Sequence, residues 1–143
     1  MRLSTITVLI IVFAIFAARA EDMSPRQRAE QFFVTLTHGD TNKAYDQLFA
    51  ESSADPNSTQ MEALKRQTAE NLPRYGKVLG HEVVSEKTFG ASVMRLVYIL
   101  KIEKHPVVWE FFFYRPQGKW FISNVRLNDE FNGLGDSYSP PKT

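Results

Sequence analysis

A site that does chemistry needs a nucleophile, an acid or base, or a set of metal ligands. This chain of 143 residues is sparing with all three. It has no cysteine, which excludes thiolate-bound zinc, iron–sulfur clusters, a disulfide scaffold, a cysteine nucleophile and a lipid anchor on an N-terminal cysteine. Its histidines, His38, His81 and His105, show neither His-x-His nor His-x-x-x-His spacing, so no metal and no cofactor is expected. There is no Gly-x-x-x-x-Gly-Lys run to cradle phosphate and no Gly-x-Ser-x-Gly elbow. His38 falls at a helix end and His105 in a turn, which leaves His81, beside Glu82, as the imidazole that could approach a pocket. Glu103 and Glu110 also sit in the strand half, but alternation turns both away from the aromatic face. Tyr45 and Tyr98 are the best polar groups on that face, each with a hydroxyl that a structural tyrosine ties to a neighbour. No catalytic residue is assigned.

Composition narrows the partners. Hydrophobic residues make up 43% and charged residues 23%, an ordinary balance for one globular domain rather than a disordered or fibrous chain. Residues 1–20 read as a cleaved signal peptide: Arg2, an apolar run from Ile6 to Phe16, and Ala18-Arg19-Ala20 at the cut. The run is too short to span a bilayer comfortably, so no lasting membrane anchor is expected after cleavage. Without Arg2 and Arg19 the chain keeps 15 basic against 16 acidic residues, so the +1 of the precursor argues for no nucleic-acid partner. The reading is a periplasmic or secreted domain over 21–131, followed by a turn-rich, flexible tail over 132–143. With no disulfide available, an apolar core must hold it.

The elements fall into a helical half and a strand half. Ser24-Pro25-Arg26-Gln27 is a helix start with a capping box, followed by Ala29, Phe32, Phe33 and Leu36 on one face. His38-Gly39 ends that helix, and Asp40 caps a second carrying Ala44, Tyr45, Leu48 and Phe49. A third begins near Thr59, buries Met61, Leu64, Thr68 and Leu72, and stops at Pro73. From Gly76 the apolar period drops to two, giving strands over 77–86, 91–103, 106–115 and 119–128. The fold class is α+β: three N-terminal helices packed on a curved, four-stranded antiparallel sheet.

A two-residue loop at Lys104-His105 would set Leu100 opposite Trp109 and Tyr98 opposite Phe111. Met94, Leu96, Tyr98, Leu100 and Ile102 then share the core face with Val107, Trp109, Phe111 and Phe113. Tyr45, Tyr98, Trp109, Phe111 and Phe113 either fill the core, the more frequent outcome for such rings, or line a pocket for a small apolar ligand. The other face is mixed: Val97, Ile99, Phe112 and Tyr114 lie exposed on it as a patch for a second copy of the chain, or strong twist and a bulge fold part of it inward.

Phe32-Phe33, His38-Gly39-Asp40, Ala44-Tyr45-Asp46-Gln47-Leu48 and the late Gly118-Lys119-Trp120-Phe121-Ile122, in that order, resemble the nuclear-transport-factor-2-like (cystatin-like cone) superfamily, as a small exported bacterial member. The resemblance spans Ser24 to Asn128 and implies a cone of helices on a bent sheet, a fold that hosts unrelated functions. Its enzymes, such as ketosteroid isomerase and dehydratases, carry an acid or base inside the cone. No aspartate lies between Asp55 and Asp129 to match the isomerase pattern. The first expectation is therefore an exported, non-enzymatic binding or interaction module, a homodimer through its sheet face that holds a small apolar ligand or an envelope protein. The alternative is a small isomerase- or dehydratase-like enzyme that uses His81 or a tyrosine on a hydrophobic substrate.

Overall fold

Each helix begins where a side chain can take up an orphan backbone N–H. In a computed structural model, which describes residues 22–131, α1 spans Pro25–Thr37, α2 Thr41–Phe49 and α3 Thr59–Asn71. The readings for the leader (1–20) and the tail (132–143) lie outside the described residues. At α1 the expected capping box forms: Ser24 Oγ accepts from the Gln27 N–H at 3.2 Å and Gln27 Oε1 from the Ser24 N–H at 2.8 Å. Asp40 Oδ1 caps α2 through the Lys43 N–H at 3.0 Å, and Ser58 Oγ caps α3 through the Met61 N–H at 3.3 Å. A 3₁₀ turn at Leu72–Tyr75 follows α3 and carries the chain past Pro73.

The strands are β1 (Val78–Phe89), β2 (Val93–Ile102), β3 (Val107–Tyr114) and β4 (Phe121–Asn128). They form one antiparallel sheet in the order β1-β2-β3-β4. β1 runs to Phe89, three residues past the expected end at Glu86. The β2–β3 register also corrects the expectation. Tyr98 lies opposite Trp109, Leu96 opposite Phe111 and Leu100 opposite Val107. The connection is Glu103–Pro106 rather than two residues, because Glu103 is held elsewhere. Its Oε2 accepts the Lys77 N–H at 2.8 Å and its own N–H donates to the Lys77 carbonyl at 3.1 Å. Gly76, at φ +96°, permits this approach, since a Cβ there would lie 2.7 Å from Glu103 Oε2. The register moves by two, so every side chain keeps its expected face.

That face meets the helices in an aromatic core. Phe32, Phe33, Tyr45, Tyr98, Trp109, Phe111 and Phe113 are all essentially without exposed surface. Phe32 packs against Trp109, Tyr45 and Phe111 with ring centroids 5.0, 5.2 and 5.6 Å apart, and Trp109 stacks on Phe111 at 6.1 Å. Met61 and Thr68 of α3 are buried, whereas Leu64 and Leu72 are only partly so. Thr68 Oγ1 donates to the Leu64 carbonyl at 2.8 Å, so its single proton is committed. The Tyr45 hydroxyl, 2.8 Å from Thr68 Oγ1, is therefore the donor in the bond that joins α2 to α3.

Candidate binding site

The five aromatic residues named as core or pocket walls are all buried. Tyr45, Tyr98, Trp109 and Phe111 have no exposed surface and pack ring against ring. Phe113 borders only a shallow hollow of about 260 Å³ on the opposite side of the sheet, beside Tyr114, Asn124 and Arg126. Interior space of the kind a buried ligand needs is taken up by the rings themselves. The Trp109 indole N–H meets no acceptor among the described residues. Tyr45 is deprived of solvent, and burial pushes its phenol far above the ordinary tyrosine value.

One polar cluster does touch this core. Glu30 of α1 accepts from the Tyr98 hydroxyl at 2.9 Å and from His81 Nε2 at 2.5 Å. The His81 ring lies flat on Phe33, centroids 4.8 Å apart. The structure thus brings together His81 and Tyr98, the two groups named for an enzyme reading, through a carboxylate that sequence reasoning missed. Burial raises the Tyr98 phenol further, with the Glu30 hydrogen bond and charge acting in the same direction. At Glu30, partial burial opposes ionisation, but the hydrogen bonds from His81 and Tyr98 and the charges of His81 and Arg26 outweigh it. The carboxyl is held below its ordinary value.

A depressed carboxyl makes the unfolded chain bind more protons than the folded one as the pH drops through this range. The stability due to Glu30 is therefore complete above the ordinary glutamate range and is lost as pH falls through the lower folded value. Urea midpoints measured from pH 7 to pH 3 should fall less steeply for Glu30→Gln than for the parent. Parallel curves would show that Glu30 is not held in this bond. The Glu30 side chain is partly open to water, so the difference should be small.

Hollows open on several flanks, about 270 Å³ beside Arg28 and Gln47 and about 440 Å³ beside Asp46 and Arg66, and a further one runs along α3 towards the sheet. This helix packs chiefly on α2 and the 3₁₀ turn. It leaves a cleft between itself and β4, the last strand of the sheet. At the N-terminal end of α3 the cleft holds about 410 Å³, bordered by Met61, Leu64, Gln60, Gln67, Asn124 and Val125. At the C-terminal end it holds about 160 Å³, where Leu64 and Gln67 recur with Asn71, Tyr75, Leu127 and Asp129. Asn124 belongs to the outer face of the sheet and Val125 to the core face, so the cleft opens across the free edge of β4. Its walls are aliphatic with amide groups. Asp129 closes one end, accepting from the Tyr75 hydroxyl at 2.6 Å, and that bond, its main cause, holds the Asp129 carboxyl below its ordinary value.

A fold with three helices before a four-stranded meander, a core between them and a cleft at the sheet's last edge can be compared with known structures. A crystal structure of a protein from Campylobacter jejuni, provisionally named an NTF2-like transpeptidase, superposes with a TM-score of 0.53 over 70% of this chain and 97% of that one, at 18% identity. The chain has the nuclear-transport-factor-2-like (NTF2-like) fold. No protein-family model matches the sequence, and no curated protein matches it either. At that identity the likeness concerns the NTF2-like fold and not an activity.

The outer face of this NTF2-like sheet differs from the expected exposed patch. Val97 has no exposed surface and Val108 almost none; Ile99 and Phe112 are half-buried, and only Tyr114 is exposed. The correction comes from Arg95 and Glu110, which alternation places over Val97. Arg95 Nε and Nη2 reach Glu110 Oε2 at 2.8 and 2.7 Å. The guanidinium groups of Arg95 and Arg126 lie 5.9 and 5.4 Å from the Phe112 ring. Long charged side chains cover apolar surface with their stems, and a binary apolar–polar reading counts them only as polar.

The other groups weighed for chemistry have structural partners. His38 Nδ1 donates to the Val34 carbonyl at 2.6 Å, and His105 Nε2 donates to the Asp129 carbonyl at 2.6 Å, tying the β2–β3 loop to the end of β4. Glu82 faces Lys101 at 3.9 Å, and Glu103 serves the Lys77 backbone. Among the described residues no three histidine or carboxylate groups converge to hold a metal ion. Glu30 had one faint signal in the sequence, its position three residues before Phe33, at the border of the buried face of α1.

Proposed function

We propose that this chain is a non-enzymatic binding module whose ligand site is the cleft between α3 and the edge of β4, and that the ligand is small, uncharged and partly apolar. The observation that carries this reading is the placement of space. The core of the NTF2-like fold is packed solid with rings, and the roomy, amide-lined volume lies beside Leu64 and Gln67. Aliphatic walls supply contact area, while amides can both donate and accept, which suits a neutral polar group. Export follows from the leader-like residues 1–20. The name of the Campylobacter protein calls it a transpeptidase. Here there is no cysteine, and among the described residues no serine hydroxyl bonds to a histidine, which favours binding over that chemistry.

N-phenyl-1-naphthylamine, a neutral fluorescent probe, should bind the parent protein. Gln67→Trp, which fills both ends of the cleft from an exposed position, should weaken it about tenfold, roughly 1.4 kcal/mol. No binding to the parent, or equal affinity for the variant, refutes the site.

The same proposal keeps the outer sheet face as the place for a second copy. Tyr114, Ile99 and Phe112 supply its remaining apolar surface. The face carries both signs, with Glu82 and Glu110 against Lys101, Arg95 and Arg126, so a two-fold related copy can set acid against base. Phe112→Glu places a carboxylate beside two guanidinium groups, so the fold should survive. Light scattering should then report a protomer in place of a pair, and a parent that is already monomeric rules the pairing out.

A further inference from the structure

The hollow between α1 and α2 has a charge in its wall that its neighbours only partly use. It holds about 270 Å³ and is bordered by Arg28, Gln31 and Phe32 of α1, Gln47 and Leu48 of α2, and Glu51 just beyond. Phe32 and Leu48 are almost without exposed surface and give it an apolar floor. Gln31 and Gln47 are exposed at its rim. The Thr35 hydroxyl donates to Gln47 Oε1 at 2.9 Å, which leaves the amide N–H groups of Gln47 to donate in turn.

Arg28 sets the polar end. A guanidinium carries its N–H donors in a planar fork and can take a carboxylate through two bonds at once. In Arg28, Nη2 donates to Glu51 and Nε donates to the Met23 carbonyl at 3.4 Å. No described residue accepts from Nη1. Among the described residues only the Trp109 indole nitrogen is both sealed from solvent and without a partner, so Arg28 Nη1 is not walled in. With the side chain 9% exposed, the space it meets is the hollow it borders. Glu51 does not claim the whole charge either, because its Oε1 accepts from Lys119 at 3.0 Å, and Asp22 faces the same lysine at 3.3 Å. Two acids and two bases balance here, so an anion would be held by the directed donors of the fork rather than by a net field.

We propose that this hollow is a second ligand site, and that it takes a small monocarboxylate with an apolar tail. The carboxylate sits on the unused edge of the Arg28 fork, and the tail covers Phe32 and Leu48. The site shares no bordering residue with the cleft along α3, so it stands or falls apart from that reading. Glu51 is then both the partner that neutralises Arg28 in the empty protein and the group with which the ligand must share it.

1-Naphthoate, ionised at neutral pH, is a probe of this class, and 1-naphthamide is its neutral counterpart of similar shape. Calorimetric titration of the full chain should show the naphthoate binding at least about tenfold more tightly than the amide. Arg28→Met, which keeps the aliphatic stem, should remove that preference. Gln31→Trp fills the hollow from an exposed position without touching the ion pairs, and it should weaken the naphthoate about tenfold even if the buried variant fails to fold. Glu51→Gln should strengthen naphthoate binding about threefold, because it frees the guanidinium from a competing carboxylate. A purely structural pair gives no such gain. No binding of naphthoate to the parent, equal affinity for acid and amide, or a preference that survives Arg28→Met overturns the site. An affinity unmoved by Gln31→Trp, or not raised by Glu51→Gln, does the same.

Discussion

Trp109→Ala is expected to cost about 3–5 kcal/mol of folding stability, measured by urea unfolding at neutral pH, the usual range for removing a fully buried large aromatic side chain. Trp109 joins α1 and α2 to the sheet. It meets Phe32 and Phe33 of α1, Tyr45 of α2 and Phe111 of its own strand. Removing it opens a void between elements that are already fully packed, and rings of this size cannot collapse into the gap without losing their edge-to-face contacts. Trp109→Phe should cost far less. It keeps most of the ring area and removes an indole N–H that finds no acceptor among the described residues, so part of the lost packing is offset by a lost desolvation penalty. A loss under about 1 kcal/mol for the alanine variant would mean that the interior is soft enough to hold a ligand after all.

How much of this could be read from residues alone depended on the range of the interactions. The helix starts were legible because their signals are local. Ser24 and Asp40 each stand three residues from the N–H they cap, and Ser58 does the same one residue before the expected start near Thr59. The composition of the core face was legible too, since alternation survives any even change of register. The β2–β3 register itself was not, because the loop length is set by Glu103 bonding to Lys77, 26 residues away in sequence. Local turn chemistry at Lys104-His105 carries no trace of that bond.

The site was legible in kind and not in place. Aromatic residues on the core face are legible from alternation, yet whether such rings enclose a cavity or fill it depends on how closely two helices approach them. Phe32 and Phe33 come to within 5.0–5.8 Å of Trp109, centroid to centroid. The space appears instead along α3, whose apolar stripe is thin. Of the four residues expected to be buried on it, Leu64 and Leu72 are only partly so, and the helix stands off from the sheet. A weak stripe was visible in the sequence, and the cleft is its three-dimensional consequence.

The second large effect is expected at a charge. Arg28 is almost fully buried on α1, and Glu51, just after α2, is its acidic partner. Arg28 also reaches the Met23 carbonyl at 3.4 Å, and Glu51 Oε1 accepts from Lys119 at 3.0 Å. These bonds, that of Arg28 first, hold the Glu51 carboxyl below its ordinary value. The two halves of the pair should not cost the same. Glu51→Gln leaves a guanidinium out of water with no counter-charge, and because Glu51 itself is partly exposed, the expected loss is about 1–2 kcal/mol rather than the 3–5 of a fully buried pair. Arg28→Met removes the charge but keeps an aliphatic stem of similar reach, and Glu51 keeps Lys119 and water, so the loss should stay below about 1 kcal/mol. The double variant should then be more stable than Glu51→Gln alone, a non-additivity that urea unfolding reads directly. The acid side gives the same test independently. The stability due to Glu51 is present above the ordinary glutamate range and disappears as pH falls through its lowered folded value, so the gap between Glu51→Gln and the parent should narrow steadily as the pH is lowered below that range. If the two single variants lose equal stability at neutral pH, the buried guanidinium is not what makes Glu51 matter.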